Sequence, residues 1–201
     1  MIRKILIYTM FVLITTLLYA TNDNLIQSLK SRYLNLNTFE ATITQTNWFS
    51  EHDISLISKG TLFIEGYTVV IEYTEPTYQF MKTDGRTLTL YTQEQNTAIV
   101  TTDENSVMHL ILHFSNLLNH DFILLDTIDD ESIFQLVMPF EEVHDFRLHV
   151  NTANSIINKI SYKDDMNNTV SISFENQRFN QRLNREVNTF TIPEGTTIIN
   201  Q

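Results

Sequence analysis

From Thr38 onward the chain alternates apolar and polar residues with a period of two. Phe39, Ala41 and Ile43 interleave with Glu40, Thr42 and Thr44, as in a strand with one buried face. Similar alternation marks Ile54 to Glu65, Thr68 to Thr74, Thr77 to Thr83, Thr87 to Tyr91 and Thr97 to Thr101. Asp84-Gly85 predicts a tight hairpin turn, because glycine accepts positive φ without steric cost. Ahead of the first strand, Asn24 to Leu36 carries Leu25, Leu29, Arg32 or Tyr33, and Leu36 at helical spacing behind Asn22 or Asp23 as N-cap, which predicts an amphipathic helix. A second helix is predicted over Asn105 to Leu118, with a broad apolar stripe at positions 107, 110, 111, 114, 117 and 118. Strands are predicted again over Phe122 to Thr127, Ser132 to Pro139, His144 to Val150, Ile156 to Tyr162, Thr169 to Phe174 and Val187 to Ile192.

No linker, charge block or internal repeat interrupts this order. The expected fold is mainly β with helices (α+β): one antiparallel sheet of ten or eleven strands, with two or three helices against one face. A sheet that large curls or closes, so its concave face becomes an apolar groove under a helical lid.

Composition narrows the use of such a groove. The chain has 201 residues, 42% of them hydrophobic, enough for one sizeable core. The formal charge is −11, and removing Arg3 and Lys4 with the first twenty residues takes it to −13. So acidic a surface repels phosphate backbones and excludes nucleic acid as a partner. Arg3 and Lys4 precede an uncharged run from Ile5 to Tyr19, and Ala20 is a small residue at the cut, the pattern of a secretory signal peptide. Residues 1–20 are therefore expected to be removed, leaving one domain, 21–201, in an extracytoplasmic compartment. There is no cysteine. Disulfides and acylation at a lipobox cysteine are thereby excluded.

Reactive constellations are missing. His109 and His113 share a helix face without a third ligand or a His-Glu-x-x-His pattern, and read as the helix's polar edge rather than a metal site. No Gly-x-Ser-x-Gly elbow and no phosphate-binding glycine loop occurs. Asp129-Asp130-Glu131, Glu141-Glu142 and Asp164-Asp165 are contiguous, so on a strand they point to opposite faces and suit solvated turns better than acid–base partnership. The expectation is a binding protein without catalytic residues, metal or cofactor.

Three motifs together resemble one family. Leu29 with Phe39, Ala41, Ile43 and Gln45 is similar to the opening signature of the periplasmic carrier of outer-membrane lipoproteins, LolA. Gly60, Leu62, Tyr73, Pro76, Asp84, Gly85, Leu90 and Tyr91 resemble its central strands, and Phe190-Thr191-Ile192-Pro193-Glu194-Gly195 its closing strand and turn. The resemblance implies an incomplete, curved antiparallel barrel of about eleven strands whose concave face shields the acyl chains of lipoproteins. It also implies the partners: acylated lipoproteins, an inner-membrane lipoprotein-releasing ABC transporter and an outer-membrane receptor, with the carrier itself a monomer. A lipid- or glycolipid-binding sensor on the same half-barrel is the alternative. One departure stands out. Where the family has a basic residue and Pro, whose Arg latches the lid through backbone carbonyls, this chain reads Glu65-Gly66-Tyr67.

Strand parity assigns the lining of the implied cavity. Phe39, Ala41, Ile43, Leu62, Ile64, Val69, Ile71, Tyr73, Phe80, Leu88 and Leu90 fall on the apolar face, with Leu110, Ile111 and Phe114 on the lid.

Overall fold

In a computed structural model, residues 24–102, 114–136 and 143–200 are described. Residues 24–34 form helix α1. Six strands follow: β1 Thr38–Phe49, β2 Ile54–Glu65, β3 Thr68–Glu75, β4 Gln79–Thr83, β5 Thr87–Thr92 and β6 Thr97–Thr102. The short helix α2, Phe114–Leu117, leads to β7 Phe122–Ile128, β8 Glu131–Leu136, β9 His144–Asn151, β10 Ile156–Lys163 and β11 Thr169–Phe179. The chain ends with a 3-10 turn at Val187–Thr189 and β12 Thr197–Asn200.

All twelve strands join one curved sheet in the order β12-β6-β5-β4-β3-β2-β1-β11-β10-β9-β8-β7. The first six strands spread from β1 in one direction. The next five return from the far edge until β11 pairs with β1, so the strand nearest the start of the sheet becomes its centre. The barrel stays open, because β7 and β12 end the order rather than pairing with each other.

Local chemistry explains the turns. The Asp84 carboxylate accepts the N–H groups of Arg86 (2.9 Å) and Thr87 (2.8 Å) while Gly85 sits at φ 86°, closing the hairpin that Asp84-Gly85 predicts. These bonds hold the Asp84 carboxyl below its ordinary pKa. Gly60 has a different role. A Cβ there would lie 2.0 Å from the Glu72 backbone oxygen, so only glycine lets β2 approach β3 where their register shifts between Lys59 and Gly60.

The C-terminal expectation needs correction. Val187 to Ile192 is not a strand; it carries a 3-10 turn and then crosses the convex face of the sheet as a strap. Val187 and Phe190 pack on Phe63, Val70, Phe80, Tyr91 and Ala98. Two carboxylates fasten the strap. Glu40 accepts the Asn184 N–H at 2.7 Å and pairs with Arg178 at 3.3 Å, and Glu72 pairs with Arg185, whose guanidinium lies 3.9 Å from the Phe190 ring centre. The closing strand is instead β12, which runs parallel to β6, making twelve strands where ten or eleven are expected. Of the second predicted helix, 114–117 is observed as α2, and residues 105–113 lie outside the described residues, as do 137–139 of the strand predicted to end at Pro139.

Candidate functional site: the concave face and its helical plug

Register decides which residues share a face. Phe39 pairs with Ile64, and Ile64 with Val69; Ala41 pairs with Leu62, Leu62 with Ile71, Ile71 with Met81 and Met81 with Leu90. Ile43 pairs with Gly60 and Gly60 with Tyr73. Directly opposed residues point to the same side, so these rows form one continuous apolar surface. It continues through Phe174 and Ile172 of β11, Ile160 and Ile157 of β10, Leu148 and Val150 of β9, and Phe134 of β8.

Ten of the eleven sheet residues assigned to this face by sequence lie on it. Phe39, Ala41, Ile43, Leu62, Ile64, Val69 and Ile71 are buried in its main cluster, and Tyr73, Leu88 and Leu90 pack half-buried around them. Phe80 is the correction. It pairs with Glu72 and Tyr91, so it points to the convex face under the Phe190 strap, and Met81 takes the concave position. Because β4 reads Gln79-Phe80-Met81-Lys82-Thr83, with apolar side chains on both faces, parity within the strand could not choose between them.

Helices plug the groove. Leu29 and Tyr33 from α1, with Phe114, Leu117 and Leu118 in and after α2, are buried in the same cluster as the sheet residues. The Phe114 ring lies 4.9 Å from Tyr33, 5.2 Å from Phe39 and 5.7 Å from Phe174, so the predicted lid residue does cover the predicted lining. Leu110 and Ile111 lie outside the described residues. A pocket of 280 Å³ with a mixed polar and apolar lining remains between Tyr33, Leu36, Asn37, Ile64, Tyr67 and Phe114. A cleft of 960 Å³ on the outer side of α1 is lined mainly by polar residues, among them Asn24, Gln27, Ser31 and Arg32.

The plug is held by a polar tie that sequence reasoning missed. The β9–β10 register shifts between Ile157 and Lys159, and β10 pairs with β11 only from Lys159 onward, so the backbone of Ile157 has no strand partner on that side. Tyr33 Oη fills the gap: it accepts the buried Ile157 N–H at 3.0 Å and donates to Gln177 Oε1 at 3.2 Å. Gln177 Nε2 donates to the Ile157 carbonyl at 2.8 Å, closing the set. Burial pushes the Tyr33 hydroxyl well above its ordinary pKa, so it stays protonated and able to donate. Arg32 adds an outer bond from Nη2 to the Asn154 carbonyl at 3.0 Å and stands 5.1 Å from the Phe179 ring. A tyrosine at a core position of an amphipathic helix is the one signal in the sequence for this tie.

Deeper in the groove, Tyr73 Oη donates to Gln45 Oε1 at 2.6 Å, and Tyr162 stacks on Phe146 at 6.0 Å. Burial raises both phenols, Tyr162 to about 12. No group of three or more potential metal ligands occurs among the described residues. Asp129, Asp130 and Asp165 are exposed, and Asp164 accepts the Asn168 N–H at 2.8 Å in a turn; Glu141, Glu142, His109 and His113 lie outside the described residues. The surface can therefore shield apolar matter; of its polar groups, Tyr33 and Gln177 tie a helix to the sheet, and Tyr73 and Gln45 tie two strands to each other.

Comparison with known proteins bears on what is shielded. A family model described as "Outer membrane lipoprotein carrier protein LolA" matches residues 34–191. No curated protein matches. Among solved structures, an uncharacterized conserved protein from Thermus thermophilus superposes with a TM-score of 0.55 at 8% identity, covering 90% of this chain and 99% of that one. A LolA superfamily protein from Nitrosomonas europaea gives 0.46 at 12% identity over 80% and 94%. A putative outer membrane lipoprotein-sorting protein domain from Vibrio parahaemolyticus gives 0.44 at 11% over 80% and 92%.

Proposed function

The chain belongs to the LolA family of outer membrane lipoprotein carrier proteins, and from that membership we propose that it carries lipoproteins through the periplasm with their acyl chains held against the concave face. The family consists of extracytoplasmic binding proteins rather than enzymes. Residues 1–20 act as a signal peptide removed after Ala20, and 21–201 is the carrier domain. The cargo comes from an inner-membrane lipoprotein-releasing ABC transporter and goes to an outer-membrane receptor.

The observation that carries the reading is the apolar face itself, continuous from β5 to β8 and closed by helices rather than by a second sheet. Leaving acyl chains in water costs ~0.8 kcal/mol per CH₂, so dozens of methylenes amount to tens of kcal/mol. An apolar surface removes that cost with no reactive group. The 280 Å³ pocket falls just below what small ligands occupy, roughly 300–1,000 Å³. Acyl chains therefore enter by displacing Leu29, Tyr33 and Phe114 from the sheet residues they cover. The latch runs opposite to the family's. Arg32 reaches from helix α1 to a sheet-turn carbonyl, and Tyr33 seals Ile157, where Glu65-Gly66-Tyr67 supplies no arginine.

The test is capture and release. The mature protein is mixed with an acylated lipopeptide or its non-acylated form, separated by size exclusion, then offered lipid vesicles bearing an acceptor. Retention of the acylated form alone, followed by release, is expected. Equal retention of both forms overturns the lipid-carrier reading, and retention without release points to a sensor.

A further inference from the structure

Strand β7 ends the sheet, with β8 on one side and no described residue paired on the other. An edge strand presents unpaired N–H and C=O groups, and natural sheets blunt such edges with lysine, proline or a covering element. Phe122–Ile128 reads FILLDTI, without lysine or proline. Among the described residues its protection is one register shift between Leu124 and Asp126 and the Asp126 carboxylate, which accepts the Thr127 N–H at 2.8 Å. Ile123, Leu125 and Ile128 are 51%, 44% and 56% exposed, an unusual load of open apolar surface for one short strand.

Charge sets the kind of partner. No Lys or Arg stands between Arg86 and Arg147, whereas Asp121, Asp126, Asp129 and Asp130 lie along this edge or its turns. Among the described residues none of the four forms an ion pair; the Glu131 carboxylate hydrogen-bonds His149 Nδ1 at 3.1 Å, and Lys30 lies 5.5 Å from the Phe122 ring centre. We propose that β7 is a docking edge for an extended, apolar and basic segment of a partner protein, which adds to the sheet as a further strand. Main-chain bonds give such pairing its affinity, and alternate side chains its selectivity. A second copy of this chain is disfavoured, because β7 against β7 sets carboxylates against carboxylates. Docking here is independent of the carrier reading, since it uses the outer edge of the sheet and not the groove.

The experiment uses the full mature chain and a short labelled peptide alternating valine with lysine and threonine. Fluorescence anisotropy measures binding, and hydrogen exchange locates it. Binding with new protection at residues 122–128 is expected. The combined change Asp121→Asn, Asp126→Asn and Asp129→Asn weakens it about tenfold, the sum of three exposed charge contacts. N-methylation of alternate peptide residues abolishes it on the unaltered chain, which keeps the test independent of how the variant folds. Equal binding of the N-methylated peptide, equal binding of a glutamate-for-lysine peptide, protection elsewhere or no binding each overturns the proposal. So does a concentration-dependent dimer lost in the triple variant, which would make a second copy the occupant.

Discussion

Tyr33→Phe isolates the lid tie from the packing around it. The substitution removes one oxygen and keeps a ring that lies 4.9 Å from Phe114, 5.3 Å from Phe179 and 6.4 Å from Phe39. Two bonds go. Gln177 is part-buried and can turn to water, but the Ile157 N–H is buried and loses its acceptor, at a cost of about 1–3 kcal/mol. Once α1 lifts, water reaches that N–H, so the cost falls on the closed state and favours the open one. At ~1.4 kcal/mol per tenfold, the open population rises roughly 5- to 150-fold. Hydrogen exchange should then accelerate by that factor over residues 24–34 and much less over β1 to β3. Acylated peptide should bind more tightly, since less of its binding energy goes into opening the lid. Combining Tyr33→Phe with Gln177→Leu should give a non-additive loss, because both side chains serve the Ile157 backbone. Equal acceleration in helix and sheet would refute the reasoning, reducing Tyr33 to general core stability; so would unchanged exchange in α1.

Three further outcomes are expected. Ile71→Glu puts a carboxylate among Leu62, Val69 and Met81, so urea unfolding should show a loss of roughly 4 kcal/mol; Thr89→Glu, paired with Lys82 on the opposite face, should change stability by less than ~1 kcal/mol, and equal effects would show the face assignment wrong. Burial holds the His149 imidazole below its ordinary pKa against the opposing Glu131 bond, with Lys159 and Arg147 also lowering it, so the unfolded chain takes up the proton first and stability falls as pH drops below ~6.5; His149→Gln should flatten that slope in a melting-temperature series, and an unaltered slope counts against it. Gly60→Ala drives a Cβ into the Glu72 carbonyl and should cost about 1–3 kcal/mol, seen as a melting point lower by roughly 3–10 °C, whereas a wild-type melting point would mean that β2 and β3 can separate there freely.

The strands from β1 to β11, the first helix and the Asp84-Gly85 turn were legible in the sequence because their causes are local, whereas the strand expected over Val187 to Ile192 is absent. Alternation of side chains about a pleated backbone marks a half-buried strand wherever it occurs, and so Phe39, Ala41 and Ile43 could be placed without knowing their neighbours. The implied groove followed from the same alternation summed over many strands. Where both faces are apolar, the local signal vanishes. Phe80 and Met81 were separated only by the pairing of Ile71 with Met81, and the convex face gained its own apolar cluster only when residues 182–192 folded back across it. Nothing near Glu40 in the sequence announces that Asn184 and Arg178 will cover it, and a tyrosine at a helix core position signals that its hydroxyl has a partner without naming the gap at Ile157. β12 likewise finds β6 about a hundred residues back along the chain, by a parallel pairing that no alternation encodes. Periodicity reports how a residue relates to its neighbours in the chain. Which distant backbone groups lack a partner, and which side chain supplies one, depends on sheet register, which is set only once the whole sheet has closed around its plug.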